Sequence, residues 1–286
     1  MTEVSAPLDV AHLRSWIGRQ DTVDDLLTVD LVRKFRATFN QPGEVRVGDV
    51  APQLIHFCLG QPSAPTASLG ADGHPARGGF LPPVPLPRRM WAAGKLVFHG
   101  DLRVGDSVSR VSRIADVAVK EGRSGTLCFV TVEHDVLIGG DRRIEERQVI
   151  VYREPDAAAP SQPPSPVDPA PEGERQRRVE PTAALLFRYS AMTFNGHLIH
   201  YDRTYATQVE GYPGLVVHGP MQATMLLQLA TELRGKAPAQ FSFRSESPLF
   251  DSDPIVLHAT DTAQGMSLWT TRENGPFAMR ADAAWS

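Results

Sequence analysis

The sequence predicts an α+β protein made of two similar units, each an antiparallel, curved sheet wrapped around a central helix. Three observations support this. A Pro/Ala-rich segment divides the 286 residues, a similar order of helices and strands recurs on both sides of it, and one helix in the second half is apolar around almost its whole circumference. A helix of that kind belongs in the interior of a protein.

The dividing segment runs from Pro155 to Arg177, with the sequence PDAAAPSQPPSPVDPAPEGERQR. Such a composition buries too little apolar surface to fold, so we expect an extended, partly disordered linker. The predicted domains are therefore a first unit at residues 1–154, the linker at residues 155–177, and a second unit at residues 178–286.

The two halves look like copies of one fold. Residues Thr28 to Asn40 and Thr182 to Asn195 each predict a Thr-capped helix that ends in a Thr-Phe-Asn triplet, so the two final asparagines are counterparts. Residues Leu96 to Val108 and Phe241 to Ile255 each predict a strand, a turn containing Asp, and a second strand.

Further strand signals fill both halves, where apolar and polar residues alternate or β-branched residues cluster. In the second half, Met221, Met225, Leu229 and Leu233 recur every four positions and predict the buried helix. An ordinary α+β core fits the same pattern and stays open. The predicted strands are 108–119, 126–137 and 147–152 in the first half and 254–260, 266–271 and 277–285 in the second.

Composition argues against several kinds of partner. With 29 basic and 33 acidic residues the net charge is −4, so we expect neither nucleic acid nor a membrane as a partner. No apolar run reaches the roughly 20 residues that span a bilayer, and the first residues lack a secretory signal, so we expect a cytoplasmic protein. Cys58 and Cys128 lie far apart in apolar surroundings and are expected to be buried free thiols.

Chemically capable side chains concentrate in the segment from Thr193 to Asp202, with the sequence TFNGHLIHYD, and in His218-Gly219-Pro220. The first segment places an amide, two imidazoles and a carboxylate close together, and the second opens the apolar helix. Groups that move protons beside a helix N-terminus that can stabilise negative charge indicate acid–base chemistry on a carbonyl compound.

This arrangement resembles the hotdog fold of the MaoC-like, R-hydratase-type enoyl-thioester hydratases. Their signature reads Ser-Gly-Asp-x-Asn-Pro-Leu/Ile-His, and its final histidine is kept here as His200. The downstream His-Gly of that family falls on His218-Gly219. The positions that differ from the signature are Asn195 for the aspartate, His197 for the asparagine and Leu198 for the proline.

Those differences resemble a subgroup of double-hotdog chains, through residues 188–202 and, in the first half, Pro85 to Gly94. The subgroup includes hydratases of 3-methylfumaryl-CoA (mesaconyl-CoA) and itaconyl-CoA and mitochondrial-type 3-hydroxyacyl-thioester dehydratases. The resemblance implies a hydro-lyase that adds water to a short branched or dicarboxylic enoyl-CoA and gives a product of the citramalyl-CoA type. The CoA thioester is the substrate, and no cofactor is expected.

Three residues, all in the second unit, are the predicted catalytic groups. The first unit is degenerate, because no histidine in it matches His200, and we expect it to wall the substrate pocket. His200 serves as base and acid, because the ordinary pKa of an imidazole lies near 7. Asn195 cannot exchange a proton near neutrality and is expected to hold the water against His200. Gly219 is the candidate oxyanion donor at the helix N-terminus. The competing interpretation makes Asn195 a turn cap, His200 a satisfied core histidine and Gly219 a plain helix start.

Five further residues are predicted to bind substrate: Tyr189, His197, His218, Arg88 and Arg89. The arginines would bind the free carboxylate of a dicarboxylic acyl group, although two solvated surface arginines explain the pattern equally well. Asp202 is expected to cap a turn or orient an imidazole. A zinc site formed by Asp202 with the three histidines of the two segments is not expected, because the spacing matches no standard metal motif.

Other functions stay open at this stage. A dehydratase of fatty 3-hydroxyacyl chains, on CoA or on acyl carrier protein, is the main alternative. A thioesterase is disfavoured because Asn195 is not acidic, and a non-catalytic acyl-CoA binding protein is the alternative from another class. We expect the double unit to associate into a homodimer.

Overall fold

The computed structural model describes residues 8–122, 125–154 and 168–285. Ten antiparallel strands form a single sheet in the order β1-β3-β4-β5-β2-β7-β10-β9-β8-β6. The strands are β1 Gln20–Leu26, β2 Arg88–Phe98, β3 Ser107–Gly122, β4 Gly125–Ile138, β5 Asp141–Arg153, β6 Arg175–Val179, β7 Gln240–Ser245, β8 Ile255–Thr262, β9 Gly265–Arg272 and β10 Met279–Ala284. The helices are α1 Val10–Arg14, α2 Val29–Thr38, α3 Ala183–Met192 and α4 Gly219–Arg234.

The two halves of the chain meet edge to edge in the middle of this sheet. β2 of the first half pairs with β7 of the second, with Leu96 opposite Phe241 and Gly94 opposite Phe243. Five strands of each half then extend outward from this seam. The expected pair of sheets is therefore one continuous sheet, and every strand predicted from the sequence lies within it.

Helix α4 is the buried central helix of the second half. It packs against β7, β8, β9 and β10. Met221, Met225 and Leu229 are buried as the four-residue spacing predicts, whereas Leu233, in the last turn, is 40% exposed and departs from that prediction. Pro220 stands in its first turn, where a missing N–H costs nothing, and Gly235 ends the helix in the left-handed region at φ 68°.

The first half differs from the expected architecture, because no long central helix occurs in its described residues, 8–122 and 125–154. Its place in the chain order is taken by a four-residue 3-10 helix, Ile55–Cys58, whose side chains are buried. Leu54 before it has φ 64° and Gly60 after it has φ 59°. Left-handed residues at both ends prevent an α-helix from propagating. The prediction of a central helix in each half is correct only for the second.

Helices α2 and α3 confirm the internal repeat but correct its register. Each has ten residues and a threonine N-cap, Thr28 or Thr182, whose hydroxyl accepts from the N–H three residues on. After the helix, Gln41 N donates to the carbonyl five residues back, at 2.8 Å, and Asn195 N does the same at 2.9 Å. The backbone counterpart of Asn195 is thus Gln41, not Asn40. Asn40 occupies the left-handed position, φ 54°, because asparagine tolerates it.

The predicted linker falls partly outside the described residues, which resume at residue 168. From there the chain lies against the second half: Trp269 Nε1 donates to Pro171 O at 3.1 Å and Gly173 N donates to His258 Nδ1 at 3.2 Å. β6 begins at Arg175 and pairs with β8. Residues 168–177 therefore belong to the folded second half, unlike the extended segment expected there.

Two further expectations concern the cysteines and membrane-spanning helices. Cys58 and Cys128 are buried free thiols, as predicted, and burial raises the pKa of Cys58 to about 12 and that of Cys128 to about 11. Within the described ranges, no helix has both the length and the apolar character needed to cross a bilayer.

Gly94 tests the seam between the halves. A Cβ at this position would overlap the ring of Phe243, which is 4% exposed. We expect Gly94→Ala to lower the free energy of unfolding by about 1–3 kcal/mol through overpacking, measured by urea denaturation. The matched control is Gly79→Ala, where a Cβ meets no atom within 4 Å. Equal stability of the two variants would contradict the packing at the seam.

Candidate active site

The site forms where the loop after α3 meets the start of α4. Helix α3 ends at Met192, and Phe194 turns the chain with φ 49°. A 3-10 helix, Leu198–His200, follows. Its last turn is joined to the segment before α4, because Val216 N donates to Ile199 O at 2.9 Å. The two segments predicted from the sequence to carry the chemistry therefore lie side by side.

His200 is buried and held by one strong hydrogen bond. Its Nδ1 lies 2.7 Å from Val216 O. A carbonyl only accepts, so Nδ1 carries the proton in the neutral ring and Nε2 keeps a free lone pair. Burial lowers the pKa of His200 to about 4, although the Val216 carbonyl opposes the shift, and the charge of His74 lowers it further. At neutral pH the ring is thus an uncharged base.

His218 stacks on His200, with ring centroids 3.7 Å apart and planes 18° from parallel. Its Nε2 lies 2.8 Å from Ser190 Oγ, and among the described residues its buried Nδ1 has no hydrogen-bond partner. Burial, with the charges of His200 and His197, holds its pKa well below the ordinary value. Tyr189 is 1% exposed and meets the His218 ring edge-on at 5.0 Å, so it supports His218 from the core.

Asn195 closes a turn. Its Oδ1 accepts from His197 N at 3.0 Å, and its side chain is half-buried. The Asn195 oxygen therefore caps the turn, as the competing interpretation expected. The N–H group of the same side-chain amide remains available to contact a ligand. Asp202 also caps, since its Oδ1 accepts from Tyr205 N at 2.9 Å, as the sequence predicted.

Gly219 opens α4, a helix without a side-chain cap at its N-terminus. A Cβ on Gly219 would meet Ser245 Oγ at 3.6 Å and Trp91 O at 3.8 Å, both ordinary contacts. The protein's own packing therefore does not require glycine here. A glycine amide at an uncapped helix start can bind a developing negative charge at close range.

The two predicted arginines have different surroundings. Arg88 Nε lies 3.3 Å from Glu210 Oε2, and its guanidinium lies 5.3 Å from the centre of the Tyr212 ring. Arg89 is half-buried and hydrogen-bonded to the Tyr152 hydroxyl. The charge of Arg89 lowers the pKa of both His74 and His197. The charge of Arg89 thus acts on two of the histidines, whereas Arg88 is committed to an ion pair.

Sequence reasoning missed a part of the site that comes from the first half. His74 Nδ1 lies 2.9 Å from Asp72 Oδ2, and the His74 ring lies 4.2 Å from that of His197. Burial lowers the pKa of His197 to about 2, with the charges of His74 and His200 adding to the shift. Burial also lowers the pKa of His74. Burial alone would raise the pKa of Asp72, but the hydrogen bonds and the charge of His74 outweigh it, so the pKa of Asp72 is lowered.

The cluster of Asp72, His74 and His197 has the donor atoms for a metal ion but lies near two positive charges. Asp72, His74 and His197 each offer a ligand atom within 4.8 Å of the others, which suits a transition metal in donor type. The positive charges of Arg89 and Arg77 act on His74 and oppose a cation there. Among the described residues, the side chains whose ligand atoms lie close enough to share one ion are Asp72, His74 and His197, so the structure does not bring together the four-residue set of Asp202 with three histidines.

Two solved structures share the fold. A MaoC-like dehydratase from Phytophthora capsici aligns with a TM-score of 0.71 at 11% identity and covers 98% of each chain. A double-hotdog protein from Mycobacterium tuberculosis aligns with a TM-score of 0.54 at 15% identity, covering 94% of this chain and 96% of that one. The predicted double hotdog is confirmed.

Two relatives in sequence extend the likeness. Over 273 residues the chain is 44% identical to mesaconyl-C(4)-CoA hydratase of Chloroflexus aurantiacus, covering 95% of this chain and 97% of that one. Over 250 residues it is 29% identical to the mitochondrial hydroxyacyl-thioester dehydratase type 2 of Schizosaccharomyces pombe, covering 76% and 79%.

The fold and these two relatives together define a double-hotdog hydro-lyase. The chain belongs to the hydroxyacyl-thioester dehydratase type 2 family, whose sequence model matches residues 53–251. The resemblance found in the sequence and the assignment to an enzyme class are thereby confirmed.

The buried histidines predict acid sensitivity. A histidine whose pKa is lowered on folding contributes its full stability above the unfolded value of about 6.5 and loses it as the pH falls toward the folded value. Moving from pH 7 to pH 5 should cost about 2 kcal/mol of unfolding free energy for each of His197 and His200. Urea denaturation at both pH values measures this, and His200→Gln should show a smaller loss. A pH-independent stability would contradict the neutral, buried rings.

Proposed function

We propose that this protein hydrates a short branched or dicarboxylic enoyl-CoA of the 3-methylfumaryl-CoA or itaconyl-CoA type, giving a product of the citramalyl-CoA type. The observation that carries the proposal is the free Nε2 of neutral His200 beside the uncapped start of α4. The 44% identity to mesaconyl-C(4)-CoA hydratase supports this choice of acyl group.

In the proposed reaction on 3-methylfumaryl-CoA, whose double bond is conjugated to the thioester, His200 Nε2 takes a proton from water while the hydroxyl adds to the β-carbon. The side-chain N–H group of Asn195 holds that water. The proton then passes from His200 to the α-carbon, so that one water is added across the double bond and no net proton is consumed. General acid–base catalysis of this kind contributes about 10²–10⁴-fold.

Gly219 stabilises the enolate in this scheme. As the thioester oxygen gains negative charge, the Gly219 N–H and the positive end of α4 bind it. One donor of this kind is worth about 3–4 kcal/mol in rate. His218 stacks beneath His200 and keeps that ring in plane.

The free carboxylate of a dicarboxylic acyl group is assigned to Arg89. Its charge already acts on His74 and His197, whereas Arg88 is paired with Glu210.

Substrate binding by Tyr189 is not proposed, because that side chain lies in the core. His197 is proposed to line the substrate site, because its ring lies between those of His74 and His200. Homodimer formation stays a prediction from the sequence.

A second candidate is dehydration of fatty 3-hydroxyacyl thioesters. The observation that favours it is the matching family, whose description is hydroxyacyl-thioester dehydratase. The same His200 and Gly219 would serve that reaction in the opposite direction, so the choice between the two depends on the acyl group.

The proposed activity is tested by spectrophotometric assay with 3-methylfumaryl-CoA, itaconyl-CoA and crotonyl-CoA, and with a medium-chain 3-hydroxyacyl-CoA run in reverse. We expect hydration of a dicarboxylic substrate, with His200→Ala lowering kcat by about 10³-fold. Turnover of the fatty substrate alone would favour the second candidate. Acyl-CoA binding without turnover of any substrate would leave a non-catalytic binding protein and contradict both.

Arg89→Gln tests the carboxylate assignment. Loss of a charge-assisted hydrogen bond of about 1.5–3 kcal/mol should lower kcat/KM for a dicarboxylic substrate by roughly 10–100-fold. Crotonyl-CoA, which has no free carboxylate, is the matched control and should be affected far less. Equal losses on both substrates would contradict a carboxylate-binding role.

A further inference from the structure

A short hairpin of the first half, residues 68–76, reaches onto the catalytic loop of the second half. Its two arms are joined by Ala76 N donating to Ser68 O at 2.9 Å, by Gly70 N donating to His74 O at 2.7 Å, and by a bridge between Leu69 and Pro75. Its tip therefore has a defined shape of its own, within a segment otherwise rich in proline and glycine.

The tip of this hairpin docks backbone to backbone. Leu198 N, in the catalytic loop, donates to Asp72 O at 2.9 Å. Gly73, with φ +85°, lies so close to Gly196 that a Cβ on either residue would overlap the other's carbonyl oxygen. Two glycines in such contact set the distance between the hairpin and the loop that carries Asn195 and His197.

The hairpin also presents an oriented imidazole. Asp72 Oδ2 lies 2.9 Å from His74 Nδ1, and Asp72 Oδ1 accepts from His74 N at 3.0 Å. A carboxylate with a lowered pKa only accepts, so Nδ1 of the neutral His74 ring carries the proton. Two hydrogen bonds to one carboxylate determine both the tautomer and the direction of the ring.

From His74 a series of ring contacts leads to the predicted base. The His74 and His197 rings lie 4.2 Å apart, the His197 ring meets His200 edge-on at 5.5 Å, and His200 stacks on His218 at 3.7 Å. His197 N also donates to Asn195 Oδ1. A displacement of His197, ring and backbone together, would therefore disturb both the proposed base and the proposed water-holding amide.

We propose that Asp72 and His74 form a positioning pair, supplied by the first half, that orients His197 and through it His200 and Asn195. The inference rests on the proposed function and makes the active site a composite of both halves. The first half, expected from the sequence only to wall the pocket, then has a direct part in catalysis. The pair acts in the manner of partners that fix the orientation and tautomer of a catalytic imidazole.

The test compares Asp72→Asn and His74→Gln with His99→Gln. His99 is a first-half histidine that is 43% exposed and lies 3.7 Å from Glu145. For both site variants we expect kcat on the accepted substrate to fall about 10-fold or more, with KM changed less than threefold and the thermal unfolding transition retained. His99→Gln should keep kcat within twofold of wild type.

Imidazole ¹⁵N spectra give a second readout that does not depend on turnover. In wild type, His74 should show a protonated Nδ1, and Asp72→Asn, which keeps the size of the side chain, should produce a mixture of tautomers and shift the His197 and His200 signals. If wild type hydrates no acyl-CoA, the proposed function fails while these shifts still decide whether the pair orients the rings.

Three results would overturn the proposal. The first is unchanged kcat and unchanged His197 and His200 signals in folded Asp72→Asn protein. The second is a rise in KM alone, which would make the pair a substrate contact. The third is loss of activity on chelation that zinc restores, which would assign the cluster of Asp72, His74 and His197 to a metal.

Discussion

The pairing of β2 with β7 is the constraint on which the rest of the structure depends. It satisfies the edge of each half-sheet with the other half, which removes two exposed edges. It also sets where the first half can reach. With Gly94 against Phe243 at the seam, the 68–76 hairpin lies over the catalytic loop of the second half. The duplicated fold thereby forms one enzyme in which the two halves have different roles.

Burial sets the chemistry of the site. His197, His200 and His218 are all more than nine-tenths buried, and in such surroundings an imidazole stays neutral because the charged form is costly to desolvate. The Val216 carbonyl then decides the tautomer of His200. An uncharged base with one free nitrogen, beside a helix start that can hold negative charge, suits a reaction in which the base gains a positive charge while the substrate gains a negative one.

Much of the fold follows from local patterns in the sequence. The caps Thr28 and Thr182, the buried side of α4 and the alternating strands each depend on interactions between near neighbours, so they were predictable. Strand β1 was not, because its side chains are almost all exposed and show no alternation. The counterpart of Asn195 was misplaced by one residue, since matching letters favoured Asn40 whereas the helix end selects Gln41.

The site was predictable only where its residues are close in the chain. Asn195, His200 and Gly219 lie in two short segments of recognisable pattern, and the structure brings those segments together. Asp72 and His74 are more than 120 positions away from His197, and only the folded sheet makes them neighbours. Nothing in the local sequence distinguishes their Asp-Gly-His-Pro turn from an ordinary surface loop.

The measurement that tests the account most directly is the pH dependence of kcat/KM for hydration, from initial rates after brief transfer to each pH. A neutral His200 with a pKa of about 4 predicts a rate that is flat from pH 8 to about pH 5 and falls only below that, in the region of pH 4, as the base becomes protonated. A fall with a midpoint near 6.5 would show an exposed, ordinary imidazole and would contradict the buried base.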